Sequence, residues 1–302
     1  MQNSNLLKIS LQTSFYINFM SIITLTTDYG LKDHFVGSVK GKILTEFSEA
    51  QIVDISHNID PFNTSEGSYI ITAAYNNFPK GTIHLIGVDI EKSKENRHLA
   101  MLFEDHYFIC ADNGILSLLL QNNKPQKVVE INIHEHLINN PTDIDAFVKV
   151  ACHLAKAGRL NDVGTEISDI KEITELQSIV SDDQNTIKGY VIYIDNFGNV
   201  VTNISRKMFA EIGKNRPFKV ILSEKSKQRI KGNITQIFDK YSDVANSGNY
   251  EIKNYEGTKL AIFNERGFLE IAIFRSNPSA FGSAKSLLGL GYRDLILIEF
   301  AN

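Results

Sequence analysis

Only two cysteines, Cys110 and Cys152, occur in 302 residues, and neither has CxxC or zinc-finger spacing. Both lie in apolar surroundings, which excludes a disulfide scaffold and reads as small buried hydrophobes in a reducing compartment, the cytoplasm. Basic excess is also missing: the net charge is -4, so neither nucleic acid nor an anionic membrane surface is an expected partner. No apolar run reaches transmembrane length. Residues 1–19 lack the continuous apolar core and small-residue cleavage site of a signal peptide. They read as a leader, disordered or a gene-model extension, ahead of a start at Met20. P-loop spacing, an HExxH pair and a Ser or Cys nucleophile elbow are absent as well.

What is present is an ordinary globular composition, 43% hydrophobic and 22% charged, in a chain long enough for two domains. Ile22 to Thr27 is a short β-prone run that breaks into Asp28-Tyr29-Gly30. Asp28 thus stands at a strand end, where ligands bind in open α/β sheets. It either accepts ribose hydroxyls or pins its own turn. A helix over 36–47, a strand over 51–56, a helix capped by Thr64 or Ser65 and a strand over 82–88 follow. That alternation predicts parallel pairing with right-handed crossovers. Asp28, Asp54 and Asp89 all fall near strand ends, so distant acids can converge on one edge. A hairpin over 98–111, a helix at 115–120, a strand at 128–133 and a helix at 143–157 complete this part. Residues 165–187 are polar and net acidic, a linker composition. Beyond them come short strands with few helices. The expected fold is an α/β N-terminal domain (20–164) with a mainly parallel sheet, and a smaller C-terminal antiparallel β-barrel domain (188–302).

Four constellations carry chemistry: Thr27-Asp28-Tyr29-Gly30 with Asp33; Asp54 to Phe62; Asp89 with Asn96-Arg97 and Asp112-Asn113-Gly114; and Asp195-Asn196-Phe197-Gly198-Asn199. In the last, Phe197 can stack a purine and Asn199 can bond its polar edge, or the segment is only a hairpin turn. Asp28, Asp54, His57 and Asp89 have donor atoms suited to a metal-dependent hydrolase, but no helical ligand pair supports a metal, and none is expected.

Taken together, the segments ITLTTDYGLKDHFVGSVKG, IVDISHNIDPFN, FPKGTIHLIGVD, ADNGILSLLL, AFVKVACHLAKAG, YIDNFGNVVTNI and FNERGFLEIA are ordered as in a known family. From Met20 to its end the chain resembles the S-adenosylmethionine (SAM) hydrolases, or SAM hydroxide adenosyltransferases. That group also contains the SAM-dependent fluorinases and chlorinases. The resemblance implies a trimer with SAM between neighbouring subunits, and no cofactor beyond SAM as substrate. It implies that Asp28 holds the ribose hydroxyls, Asp33 and Asp195 face the methionine amino group, and Phe62 lies near the sugar. Phe197 would stack on adenine, Asn199 would bond it, and Arg266 matches an arginine of halogenating members, next to Glu265 in place of a small hydroxyl residue. Asp89 matches the hydrolytic Asp. The family Arg falls on Asn96, with Arg97 adjacent, and the family His falls near Thr142 in a turn spelled Asn140-Pro141-Thr142-Asp143. Glycines that follow the Asp in the family are replaced by Ile90-Glu91-Lys92-Ser93. The aromatic and hydroxyl residues of the halogenases are absent too. The leading expectation is hydrolysis of SAM to adenosine and L-methionine, with Asp89, Asn96 and Arg97 at the reacting centre. The alternatives are SAM or adenosine binding without turnover, and the metal-dependent hydrolase.

Overall fold

The computed structural model describes residues 21–137, 141–222, 233–245 and 252–301; the leader at 1–19 and Asn140 lie outside them. The first half is a seven-stranded sheet in the order β2-β1-β3-β5-β4-β6-β7. Its strands are β1 (Ile22–Thr27), β2 (Gln51–Ser56), β3 (Ile83–Gly87), β4 (His98–Phe103), β5 (His106–Ala111), β6 (Lys127–Ile131) and β7 (Gly164–Glu166). Helices α1 (Phe35–Glu46) and α4 (Asp143–Ala155) cover one face, and α2 (Thr64–Ala74) and α3 (Ile115–Leu120) the other. Side chains alternate across the pleat as a strand requires. Ile23, Leu25, Ile83, Leu85 and Ile109 join the core under α1 and α4, while Ile86, Phe108 and Cys110 join the core under α2 and α3. Cys110 and Cys152 are free and buried.

The sheet is mixed rather than mainly parallel. β2, β1, β3 and β5 run parallel, but β4, β6 and β7 pair antiparallel. The reason is local. Glu104 and Asp105, at φ 50° and 64°, form a two-residue turn of the kind that closes a hairpin. A parallel return would need a crossover of roughly a dozen residues. One further difference concerns α2, which Asn63 caps: its Oδ1 accepts from the Glu66 amide at 3.1 Å.

Residues 165–187 do not hang free. The Ile167 amide donates to Val128 O, Ile167 and Ile170 pack on the α2–α3 core, and the Lys171 amide donates to Asp112 Oδ1 at 2.7 Å. Asn203 Nδ2 donates to Leu176 O from the second domain. That domain comprises β8 (Ile179–Val180), β9 (Thr186–Ile194), β10 (Val200–Ser205), α5 (Arg206–Gly213), β11 (Phe218–Ile221), β12 (Ile237–Phe238), β13 (Lys259–Phe263), β14 (Phe268–Ile273), α6 (Ala284–Leu288) and β15 (Leu295–Phe300). Strands pair as β11-β15-β9-β10-β14-β13-β12, with β8 on β9, antiparallel except β12 on β13. Val220 of β11 and Ala261 of β13, from opposite ends of that path, share one core, so the sheet curls. Among the described residues the path is open, which makes it a half-barrel. Among the described residues, no helix is long and apolar enough to cross a membrane.

Candidate active site

Strand order 2-1-3, with α1 and α2 on opposite faces, creates a switch point between β1 and β3. In open α/β sheets ligands bind at such a point, beyond the strands' carboxyl ends. Asp28 follows β1 and Asp89 lies two residues beyond β3, so both flank that point. The first turn is tied down by its neighbours. Thr27 Oγ1 lies 2.8 Å from His57 Nδ1, and the Gly30 amide donates to His57 O at 2.6 Å. Asp28 Oδ2 accepts from the Phe62 amide at 3.0 Å. Phe62 sits at φ 64° with its side chain 72% exposed, so an aromatic ring is held out beside Asp28 in a conformation that a non-glycine residue adopts at a cost. Gly87 leaves room for the Thr27 side chain, since a Cβ there would lie 3.0 Å from Thr27 Cγ2, and the Tyr29 hydroxyl sits beside the same point. Burial, then Asp28 and Asp143, push that hydroxyl up to about 12, so it stays protonated beside the carboxylate. Asp33 lies exposed in the bend before α1.

Asp89 also has positive φ, 47°. Asn96 Nδ2 donates to Asp89 O at 3.0 Å and to Glu91 O at 2.9 Å, so Asn96 grips the loop. Arg97 points elsewhere: its guanidinium bonds Asp112 Oδ2 at 2.7 Å and Asp169 Oδ2 at 3.1 Å, and lies 3.7 Å from Glu130. Asp54 is inside β2 rather than at its end, held by Lys40 at 2.6 Å and by His57 at 3.1 Å. Among the described residues, no group of three or more His, Cys, Asp or Glu is placed to hold a metal ion. Asp28, Asp54, His57 and Asp89 therefore do not form a ligand set.

In the second domain, Asp195 closes its own turn. Its Oδ1 accepts from the Asn199 amide at 2.8 Å and its Oδ2 from Asn199 Nδ2 at 3.0 Å, with Gly198 at φ 70°. Asn199 is buried by this, whereas Phe197 is 65% exposed. Arg266 reaches back to the first domain. Its Nη1 donates to Tyr69 O at 3.2 Å, and its guanidinium stacks on the Tyr69 ring at 4.6 Å. Tyr69 in turn stacks on Tyr193 at 4.4 Å, and these three residues line the domain junction together. Glu265 is exposed. The residues proposed from sequence thus form two groups. Asp28, Phe62, Asp89 and Asn96 share the carboxyl edge of the first sheet, and Asp195, Phe197 and Asn199 share one hairpin. Among the described residues no hydrogen bond or ion pair joins the groups.

Sequence reasoning missed His98, His134 and Asp143 at this edge. His98 Nε2 lies 2.8 Å from Ile90 O, its Nδ1 2.8 Å from His134 Nε2, and Asp143 Oδ2 accepts from the Lys92 amide at 3.0 Å. The available signal was the hairpin itself. An antiparallel return puts the start of β4 on the edge where β3 and β5 end.

Residues 23–164 match the SAM hydroxide adenosyltransferase N-terminal domain, and residues 189–297 match the C-terminal domain of the same family. A (R)-S-adenosyl-L-methionine hydrolase of Methanocaldococcus jannaschii is 29% identical over 296 residues, covering 94% of this chain and 97% of that protein. A fluorinase of Nocardia brasiliensis is 26% identical over 224 residues, 64% of this chain and 74% of that protein. Among solved structures, an uncharacterized conserved protein from Thermotoga maritima superposes with a TM-score of 0.76 at 27% identity, over 92% of this chain and 99% of that one.

Proposed function

The chain belongs to the SAM hydroxide adenosyltransferase family, and on that premise we propose that it hydrolyses SAM to adenosine and L-methionine. The observation that carries the reading is the placement of Asp28 and Asp89 just beyond the carboxyl ends of β1 and β3, at the switch point of the sheet. Asp28 keeps Oδ1 for the ribose hydroxyls while Oδ2 holds Phe62 in place. A water oxygen attacks the ribose C5′, the C5′–S bond breaks, and its electron pair goes to sulfur, leaving a neutral thioether. The attacking water gives its proton to the Asp89 carboxylate. A sulfonium is already a good leaving group, so the protein mainly supplies in-line positioning in a dry site. Asp89 orients the water, and Asn96 holds the loop.

Phe197 would stack on adenine, and Asn199 and Asp195 would bond its edge and the methionine amino group; Asp33 would face the same amine. The two groups of residues would meet when Phe62 and Phe197, both exposed, face each other across neighbouring copies. On this reading the protein is a homotrimer with sites between subunits. Arg266, drawn to Tyr69, would bear on the site through its backbone and the domain junction. The test is incubation of purified protein with SAM, followed by chromatography. Equal release of adenosine and methionine is expected. SAM binding by calorimetry without adenosine would mean a binding protein that has lost turnover, a reading favoured by the commitment of Arg97 to three carboxylates.

A further inference from the structure

We infer that His98, with Asn96 and Asn113, is a positioning residue that fixes the Asp89 loop for the reaction; this rests on the hydrolytic reading above. The loop Ile90-Glu91-Lys92-Ser93 contains no glycine, yet Asp89 holds φ at 47°, in the left-handed region that side-chain-bearing residues enter at a cost. Something outside the loop must impose it. Four consecutive carbonyls each receive a side-chain N–H. Val88 O accepts from Asn113 Nδ2 at 2.9 Å, and Asp89 O from Asn96 Nδ2 at 3.0 Å and Asn113 Nδ2 at 3.3 Å. Ile90 O accepts from His98 Nε2 at 2.8 Å, and Glu91 O from Asn96 Nδ2 at 2.9 Å. Loop carbonyls ordinarily turn to water; these are satisfied by the protein, so the loop has one geometry rather than several.

His98 is the least replaceable of the three. It is fully buried at the start of β4, and its ring packs edge-on against Phe147 at 4.6 Å. A carbonyl only accepts, so Nε2 carries the proton. Burial lowers the His98 pKa, keeping the ring neutral and Nδ1 bare. Nδ1 then accepts from His134 Nε2 at 2.8 Å. His134 is itself pushed down to about 4 by burial, then Lys92 and His98. Lys92, at the far end of the same loop, brings its Nζ within 3.3 Å of His134 Nδ1, and its amide is tied to Asp143. The second ring thus locks the tautomer that the first needs to hold Ile90.

The test compares wild type with His98→Phe, His98→Gln and Asn96→Leu by turnover of SAM, SAM affinity by calorimetry, and crystal structure. His98→Phe keeps the ring packing and removes the donor; it should lower kcat about 10- to 100-fold, with SAM affinity within about threefold. His98→Gln, which can still donate to Ile90 O, should restore most of the loss. Turnover of His98→Phe within about twofold of wild type, or kcat and affinity falling together, overturns the inference. If wild type releases no adenosine, the hydrolytic reading fails separately, and the crystal structure of His98→Phe decides the clamp. Asp89 leaving positive φ supports it, and Asp89 unchanged overturns it. Should His98→Phe not fold, Asn96→Leu at the half-exposed rim answers by the same measurements.

Discussion

At the amino edge of the N-terminal sheet, His84 and His106 bond each other at 3.2 Å, with Thr24 Oγ1 2.7 Å from His84 Nδ1. At the carboxyl edge, His98 and His134 pair at 2.8 Å. Both pairs are shielded and held neutral, but their outer bonds differ. His84 stacks on Phe108 at 4.9 Å with Tyr75 edge-on, and its hydrogen bonds run only to side chains of the core. His98 spends its outer proton on the backbone of a loop that carries Asp89. A buried histidine pair is therefore not itself a sign of function. What matters is whether its bonds end in packing or in a strained segment beyond the sheet's carboxyl edge.

The largest effect expected on this contrast is at the carboxyl edge. Asp89→Ala should reduce SAM turnover about 1,000-fold with little change in melting temperature, measured by adenosine release and thermal unfolding. Intact turnover would remove Asp89 from the reaction. Asp28→Ala should weaken SAM binding about 100-fold by calorimetry, since two hydroxyl bonds to a carboxylate are lost, together about 3 kcal/mol.

The amino edge should respond through stability instead. His84 is pushed down to about 3 by burial, then His106, while the unfolded chain takes up that proton near 6.5. The unfolded state binds more protons below 6.5, so stability falls as pH drops from there towards 3. The loss should be about 2 kcal/mol by pH 5. Urea unfolding at pH 7 and pH 5 measures it, and His84→Gln should flatten the difference. An equal stability at both pH values would put His84 outside a neutral, buried state. Smallest, Thr24→Val leaves His84 Nδ1 without a partner and should cost about 1 kcal/mol, with turnover per folded molecule unchanged.

The parallel half of the sheet was legible because apolar runs ended in polar turns: Ile22–Thr27 before Asp28, and Ile83–Gly87 before Asp89. The hairpin over residues 98–111 was legible as well. Its wider effect is tertiary: it reverses the sheet and returns His98 to the edge where β3 ends. Asp54 reads as a strand-end acid from local sequence, but Lys40 on the covering helix claims it. Arg97 reads from local sequence as the natural substitute one residue from Asn96, yet the two leave the loop before β4 in different directions. Its guanidinium meets Asp112 and Asp169 while Asn96 turns to Asp89.

The sequence alone determined the two-domain order, the strand-end placement of Asp28 and Asp89, and the ordered motifs that carry the family. Those are local patterns or linear order, and one chain is enough to hold them. Only the tertiary structure decided which polar groups are left over for a ligand. Whether a carboxylate, guanidinium or imidazole is available depends on partners distant in sequence: 34 residues for Asp28 and Phe62, 36 for His98 and His134 and 72 for Arg97 and Asp169. Asp28 keeps an oxygen in reserve, Arg97 is consumed, and His98 is turned onto the loop that presents Asp89.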